Sequence, residues 1–197
     1  MKTLNEIINW YGSDKNLSGY TPYYIEIFES IREKQIDLLE IGIGTIISSA
    51  PSSMANTSIK NYKPGASLRS WQEYFPNAKI FGGDIQLDTQ FEEDRIKTFL
   101  FDSTKKNECD DTLNDMVFDI IIDDGWHESY AQLDTFNNLF NRVKSGGYYI
   151  IEDIELDIIE DIELGGNSPL FGELEKKLNG IKYTTSNIKN LIIICKP

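Results

Sequence analysis

The residues able to do chemistry gather in two short stretches. Asp123-Asp124-Gly125-Trp126-His127 follows the apolar run FDIII and holds the only histidine of the sequence, and Glu152-Asp153 follows GYYII. Adjacent carboxylates at the end of a buried strand repel each other and cost desolvation, so they call for a compensating cation or ligand. If the two strands are neighbours, Asp124, Glu152 and Asp153 converge as three oxygen ligands, the preference of a hard cation such as Mg²⁺. No Cys/His cluster of the zinc kind occurs in the sequence. His127 titrates near neutrality and can take a proton from a hydroxyl. Against this, such acids also cap turns or pair with lysines, and a lone histidine is often structural.

The elements that must position these groups repeat one design. IDLLEIG (36–42), AKIFGGD, IKTFLFD, FDIIIDDG and GYYIIED are apolar runs that each end in glycine or an acidic residue. ASLRSWQEYF and ESYAQLDTFNNLFNRV lie between them with apolar residues at helical spacing, as in Leu133, Phe136, Phe140 and Val143. Thr21-Pro22 before YYIEIFESIREK reads as an N-cap and a proline opening an amphipathic helix. Strands alternating with helices imply a parallel sheet covered on both faces. GIKYTTSN and NLIIICKP lie too close together for a crossover and should pair antiparallel. The expected fold is α/β and Rossmann-like: a mostly parallel seven-stranded sheet with an antiparallel C-terminal hairpin. By analogy this is the strand inventory of the class I methyltransferases. One domain is expected over 1–197, with 1–35 a helical lid and 36–197 the core. The Ser-, Asn- and Pro-rich segment 46–65 is expected to be a lid or a disordered loop.

Open α/β sheets bind ligands at the carboxyl ends of their strands. The first end, Glu40-Ile41-Gly42-Ile43-Gly44, offers glycines that let backbone approach a ligand. A dinucleotide fingerprint would want a third glycine where Ile47 stands, and no phosphate-clamping Lys-Ser/Thr pair follows, so NAD and ATP lose ground. S-adenosylmethionine (SAM), which has no pyrophosphate, suits the pattern. Asp84, ending Gly82-Gly83-Asp84, can accept both hydroxyls of a ribose, and Asp102, after Phe101, is placed to read an adenine edge or to serve as a turn aspartate.

The chain has 197 residues, with 40% hydrophobic and 26% charged, ordinary for a globular protein. A formal net charge of −13 disfavours nucleic acid and anionic membranes as partners. No stretch of about 18 apolar residues is present, and MKTLNEIINWYG does not resemble a secretory signal, so cytoplasm is the expected location. Cys109 and Cys195 should be free thiols in a reducing compartment. The acidic run over 155–163 reads as a solvated surface. Trp10, Tyr20, Tyr23 and Tyr24 read as core, or as a lid or a homo-oligomer interface.

Five motifs taken together, G-S-D-K at Gly12, E-I-G-I-G at Glu40, G-A-S-L-R-S-W at Gly65, I-D-D-G-W-H at Ile122 and G-G-Y-Y-I-I-E-D at Gly146, resemble the macrolide-sugar O-methyltransferases. The likeness runs from Gly12 to Asp153. It implies Mg²⁺ on Asp124, Glu152 and Asp153, His127 as general base, and SAM against Glu40 to Gly44, Ser67, Asp84 and Asp123, with Asp102 and Ser13 as further contacts. It also implies a small-molecule acceptor, a sugar or nucleotide-linked sugar, and S-adenosylhomocysteine (SAH) as product. Trp126 departs from the pattern, since a small residue usually stands there. Competing readings are a hydroxylase or oxidoreductase on a related core, and a SAM-binding partner protein without activity.

Overall fold

The computed structural model describes residues 2–50, 52–154, 169–178, 180–181, 183–186 and 190–197. Its strands are β1 Asp37–Ile41, β2 Lys79–Asp84, β3 Glu92–Glu93, β4 Ile96–Leu100, β5 Phe118–Asp123, β6 Val143–Ile151, β7 Tyr183–Ser186 and β8 Leu191–Cys195. They form one sheet in the order β3-β4-β2-β1-β5-β6-β8-β7. Neighbours among β4, β2, β1, β5 and β6 pair in parallel, while β8 runs antiparallel to both β6 and β7. This is the expected seven-stranded class I methyltransferase sheet with one addition. The extra strand, β3, is two residues long and pairs antiparallel with β4, placing Glu92 opposite Lys97. A tight return through Asp94-Arg95, with Arg95 in the left-handed region (φ 56°), makes this edge hairpin.

The described helices are α1 Leu4–Tyr11, α2 Thr21–Phe28, α3 Ala66–Tyr74, α4 Lys106–Leu113, α5 Ser129–Leu139 and α6 Pro169–Leu178. Strand alternation sends side chains to two cores. Leu38, Ile80, Ile120, Ile122 and Ile150 face a layer built by Leu4, Ile7, Tyr24, Phe28, Leu68 and Trp71. Leu39, Ile121, Tyr149 and Ile151 face Cys109, Leu113, Phe136, Leu139, Leu174 and Leu178. The 1–35 segment expected as a lid is therefore packed into the first layer, with Tyr20 and Tyr24 buried; Trp10 alone of the four aromatics is largely exposed.

Local chemistry sets the boundaries. The Thr3 hydroxyl accepts the Glu6 N–H at 3.3 Å while the Glu6 carboxylate accepts the Thr3 N–H at 2.7 Å, a capping box worth roughly 1 kcal/mol. Thr21 sits inside the first turn of α2 instead of capping it, because its hydroxyl donates to Asn16 Oδ1 at 3.1 Å. The helical spacing extended from Leu133 to Val143 breaks early: α5 stops at Leu139, and Val143 already belongs to β6. Cys109 is buried and Cys195 exposed, both unbonded. Among the described residues no helix is long and apolar enough to cross a membrane. The acidic run at 155–163 lies outside the described residues.

Candidate active site

The strand order reverses beside β1, which lies between β2 and β5, and ligand clefts form at such a point. A cavity of about 270 Å³ opens there, above the carboxyl ends of β1, β2, β4 and β5. Its floor is the turn after β1. Gly42 and Gly44 take left-handed φ values of 78° and 82°, and a Cβ on Gly42 would collide with the Asp124 carbonyl. Gly42 N–H donates to Gly83 O at 2.9 Å, which holds the turn over β2. Asp84 anchors the next residue. Its Oδ2 accepts the Ile43 N–H at 2.9 Å and its Oδ1 the Gln86 N–H at 2.8 Å, and each oxygen keeps a lone pair for a further donor. The 46–65 segment supplies one wall through Met54 and Tyr62, and Asp88 ties its start by accepting from Thr45 Oγ1 at 2.7 Å and Ile46 N at 2.9 Å.

Of the expected SAM contacts, Ser13, Gly42, Gly44, Ser67, Asp84 and Asp102 line this cavity. Glu40 and Asp123 lie behind its wall. Glu40 is wholly buried, with its Oε2 accepting from Trp71 Nε1 at 2.9 Å. Asp123 accepts from the Gly125 N–H at 3.4 Å and the Tyr149 hydroxyl at 3.5 Å, and burial raises its carboxyl to about 7.

The acidic strand ends meet beyond the floor. The Asp124 N–H donates to Ile41 O and the Glu152 N–H to Asp123 O, each at 2.9 Å, so backbone registers the two stretches side by side. Asp124 Oδ1 and Asp153 Oδ2 approach His127 Nε2 at 3.5 and 3.6 Å. The ligand atoms of Asp124, His127 and Asp153 all lie within 4.8 Å of one another. His127 Nε2 is buried and has no hydrogen-bond partner among the described residues, the condition a metal ion or an acceptor hydroxyl would relieve. Two carboxylates beside it suit a divalent cation. Of the three acids expected as ligands, Asp124 and Asp153 flank His127, whereas both oxygens of Glu152 lie 2.8 Å from Lys15 Nζ.

Glu152 belongs to a buried ion cluster. Lys15 Nζ lies 2.8 Å from both Glu152 oxygens, 2.9 Å from Asp124 Oδ2 and 2.9 Å from Glu40 Oε1. Tyr24 donates its hydroxyl to Glu152 Oε1. Tyr20 donates to Asp153 Oδ1 and accepts the Asp153 N–H at 3.1 Å. That clamp holds Asp153 in the left-handed region (φ 52°), which costs a residue with a Cβ roughly 1 kcal/mol. These residues position the acids, and the sequence reading missed their role. Lys15 stood in the G-S-D-K motif, and Tyr20 and Tyr24 shared one helix face four residues apart. Only the need of buried carboxylates for a cation pointed toward them.

Burial sets the charges. It opposes a charged Lys15, but Asp124, Glu152 and Glu40 overcome it and hold the ammonium protonated. One cation cannot offset three carboxylates. Burial raises Glu40 and Glu152, and Asp124, drawn down by Lys15 and His127 against its burial, stays ionised. At His127 burial again opposes charge, and Asp124 with Asp153 lifts the imidazole to about 9.

No family model matches the chain. Over 143 residues, 70% of its length, it is 34% identical to the mycinamicin VI 2''-O-methyltransferase of Micromonospora griseorubida. Over 148 residues, 74% of its length, it is 32% identical to the 8-demethyl-8-alpha-L-rhamnosyl tetracenomycin-C 2'-O-methyltransferase of Streptomyces olivaceus. The matches cover 32% and 36% of those proteins, so the chain spans about a third of the length of the relatives it matches. Its fold superposes on the MycE methyltransferase of the mycinamycin biosynthetic pathway, solved with Mg and SAH, with a TM-score of 0.76 and 27% identity, covering 99% of this chain and 55% of that one. In sequence and in fold, the chain belongs with the SAM-dependent sugar O-methyltransferases of the mycinamicin VI 2''-O-methyltransferase type.

Proposed function

We propose that the chain is a SAM-dependent O-methyltransferase acting on a hydroxyl of a sugar or nucleotide-linked sugar, assisted by Mg²⁺ with His127 as general base. The observation that carries this reading is the convergence of Asp124, His127 and Asp153 on the rim of a cavity at the sheet's switch point. One relative is named a 2'-O-methyltransferase of a rhamnosyl tetracenomycin and another a 2''-O-methyltransferase of mycinamicin VI, and the solved relative holds Mg and SAH.

The Gly42–Gly44 turn, Ser67, Asp84, Asp102 and Ser13 would hold the cofactor, and Asp124 with Asp153 would hold Mg²⁺. When bound, SAM supplies an electrophilic methyl and Mg²⁺ a Lewis acid that stabilises a developing alkoxide. The residues of the chain do the rest. His127 accepts the hydroxyl proton at Nε2, the atom without a hydrogen-bond partner among the described residues. A base must begin unprotonated, yet Asp124 and Asp153 raise its pKa to about 9. With a cation on those two carboxylates, the charges that hold the proton would be offset and Nε2 would be open to accept one. Lys15 and Tyr24 fix Glu152, and Tyr20 fixes Asp153, so the reacting group meets a preorganised rim.

Calorimetric titration of SAM and SAH, with and without Mg²⁺, tests the reading. Binding of both, followed by chelator-sensitive transfer of labelled methyl to a glycoside, supports it; absence of binding in either metal condition overturns it.

A further inference from the structure

One feature of the cavity rim is unused by the chemistry above. Trp126 lines the cavity between Gly125 and His127, yet leaves 45% of its surface to solvent. Tyr130, in the first turn of α5, is 54% exposed. Their rings meet edge to face, with centroids 5.1 Å apart and planes at 79°. Three tryptophans occur in the chain, and Trp71 is fully buried, so the core accepts an indole where packing needs one. Trp126 is instead a flat apolar surface beside two carboxylates and an imidazole.

We propose that Trp126, braced by Tyr130, is the acceptor subsite and takes the C–H face of a pyranose ring; this rests on the methyltransferase reading. The recognising chemistry is two-sided. A pyranose presents an apolar face of C–H bonds and a rim of hydroxyl donors. The indole matches the face, and the cation that Asp124 and Asp153 would hold matches the hydroxyl oxygens. The ring pair holds the indole plane at little entropic cost, since each aromatic side chain has only two torsions to fix. An acceptor bearing carboxylate or sulfate groups away from the reacting hydroxyl is disfavoured by the net charge of −13. A flat diol such as catechol would also stack, and is the alternative to be excluded.

The test uses the full chain with Mg²⁺ and SAH, methyl α-L-rhamnopyranoside as probe and catechol as competitor. Saturation-transfer NMR, irradiating protein aromatic protons, reads contact with the glycoside C–H protons, and calorimetry reads SAH affinity. Transfer to one face of the ring is expected in the wild-type protein. Trp126→Ala should weaken glycoside binding about threefold to tenfold. Trp126→Phe should restore most of it, with SAH affinity unchanged in both variants. Unchanged glycoside affinity in Trp126→Ala, with SAH still bound, overturns the subsite alone, as does binding of catechol without the glycoside. Failure of the wild-type chain to bind SAH overturns the methyltransferase reading and the subsite with it.

Discussion

The acid-rich rim has two ends, built from the same residue type and set to opposite purposes. At the closed end, Glu40 and Glu152 are almost wholly buried and share the Lys15 ammonium, with Tyr24 adding a hydroxyl. At the open end, the Asp153 and His127 side chains are each about a third exposed, and the imidazole Nε2 has no hydrogen-bond partner among the described residues. Asp124 touches both, one oxygen on Lys15 and the other toward His127. A carboxylate is scaffolding where the chain supplies its own cation and stays open to solvent where it does not.

Three substitutions and one titration break or sharpen this contrast, and the largest effect is expected at the closed end. Lys15→Met leaves Glu40, Asp124 and Glu152 without a counter-charge, and should cost about 3–5 kcal/mol of stability in urea unfolding. A variant as stable as wild type would show that the cluster is not held by the ion pairs. At the open end, His127→Gln should lower turnover by about 10²–10⁴-fold with SAM affinity intact. Equal turnover removes His127 from the base role. Asp153→Asn should weaken Mg²⁺ binding by at least about tenfold while leaving the melting temperature nearly unchanged, since Tyr20 can still donate to the amide oxygen. Equal Mg²⁺ affinity would place the cation elsewhere.

The smallest effect is a titration. As the only histidine, His127 gives a single set of ring-proton resonances, expected to titrate near 9 without Mg²⁺ and lower with it. Its folded pKa exceeds the unfolded value of about 6.5, so the stability it contributes is full below that pH and is lost as pH rises through about 9. A melting temperature insensitive to pH across that window, or a titration that ignores Mg²⁺, would separate the imidazole from the two aspartates.

The sequence was most legible where information is local. The apolar runs of β1, β2, β4, β5 and β6 announced themselves by composition, and their polar ends marked the rim that contains Gly42, Asp84 and His127. α4 escaped notice because Lys106–Leu113 buries only Cys109 and Leu113 and carries no apolar stripe. β3, two residues long, is defined by its partner and has no pattern of its own. The Lys15 contacts were illegible for another reason. Lys15 lies 109 positions from Asp124 and 137 from Glu152, and no periodicity spans such distances. The contact of Glu152 with Lys15 could not be read from its neighbour Asp153, whose side chain approaches His127.

That separation bears on how the protein assembles. During vectorial synthesis Lys15 leaves the ribosome long before Asp124 and Glu152, so its ammonium waits in solvent until β5 and β6 have joined the sheet. Contacts across so many residues close late and slowly. The reacting rim thus acquires its charge balance only once the sheet behind it is complete, and a chain caught before that point offers no finished site to a metal or a cofactor.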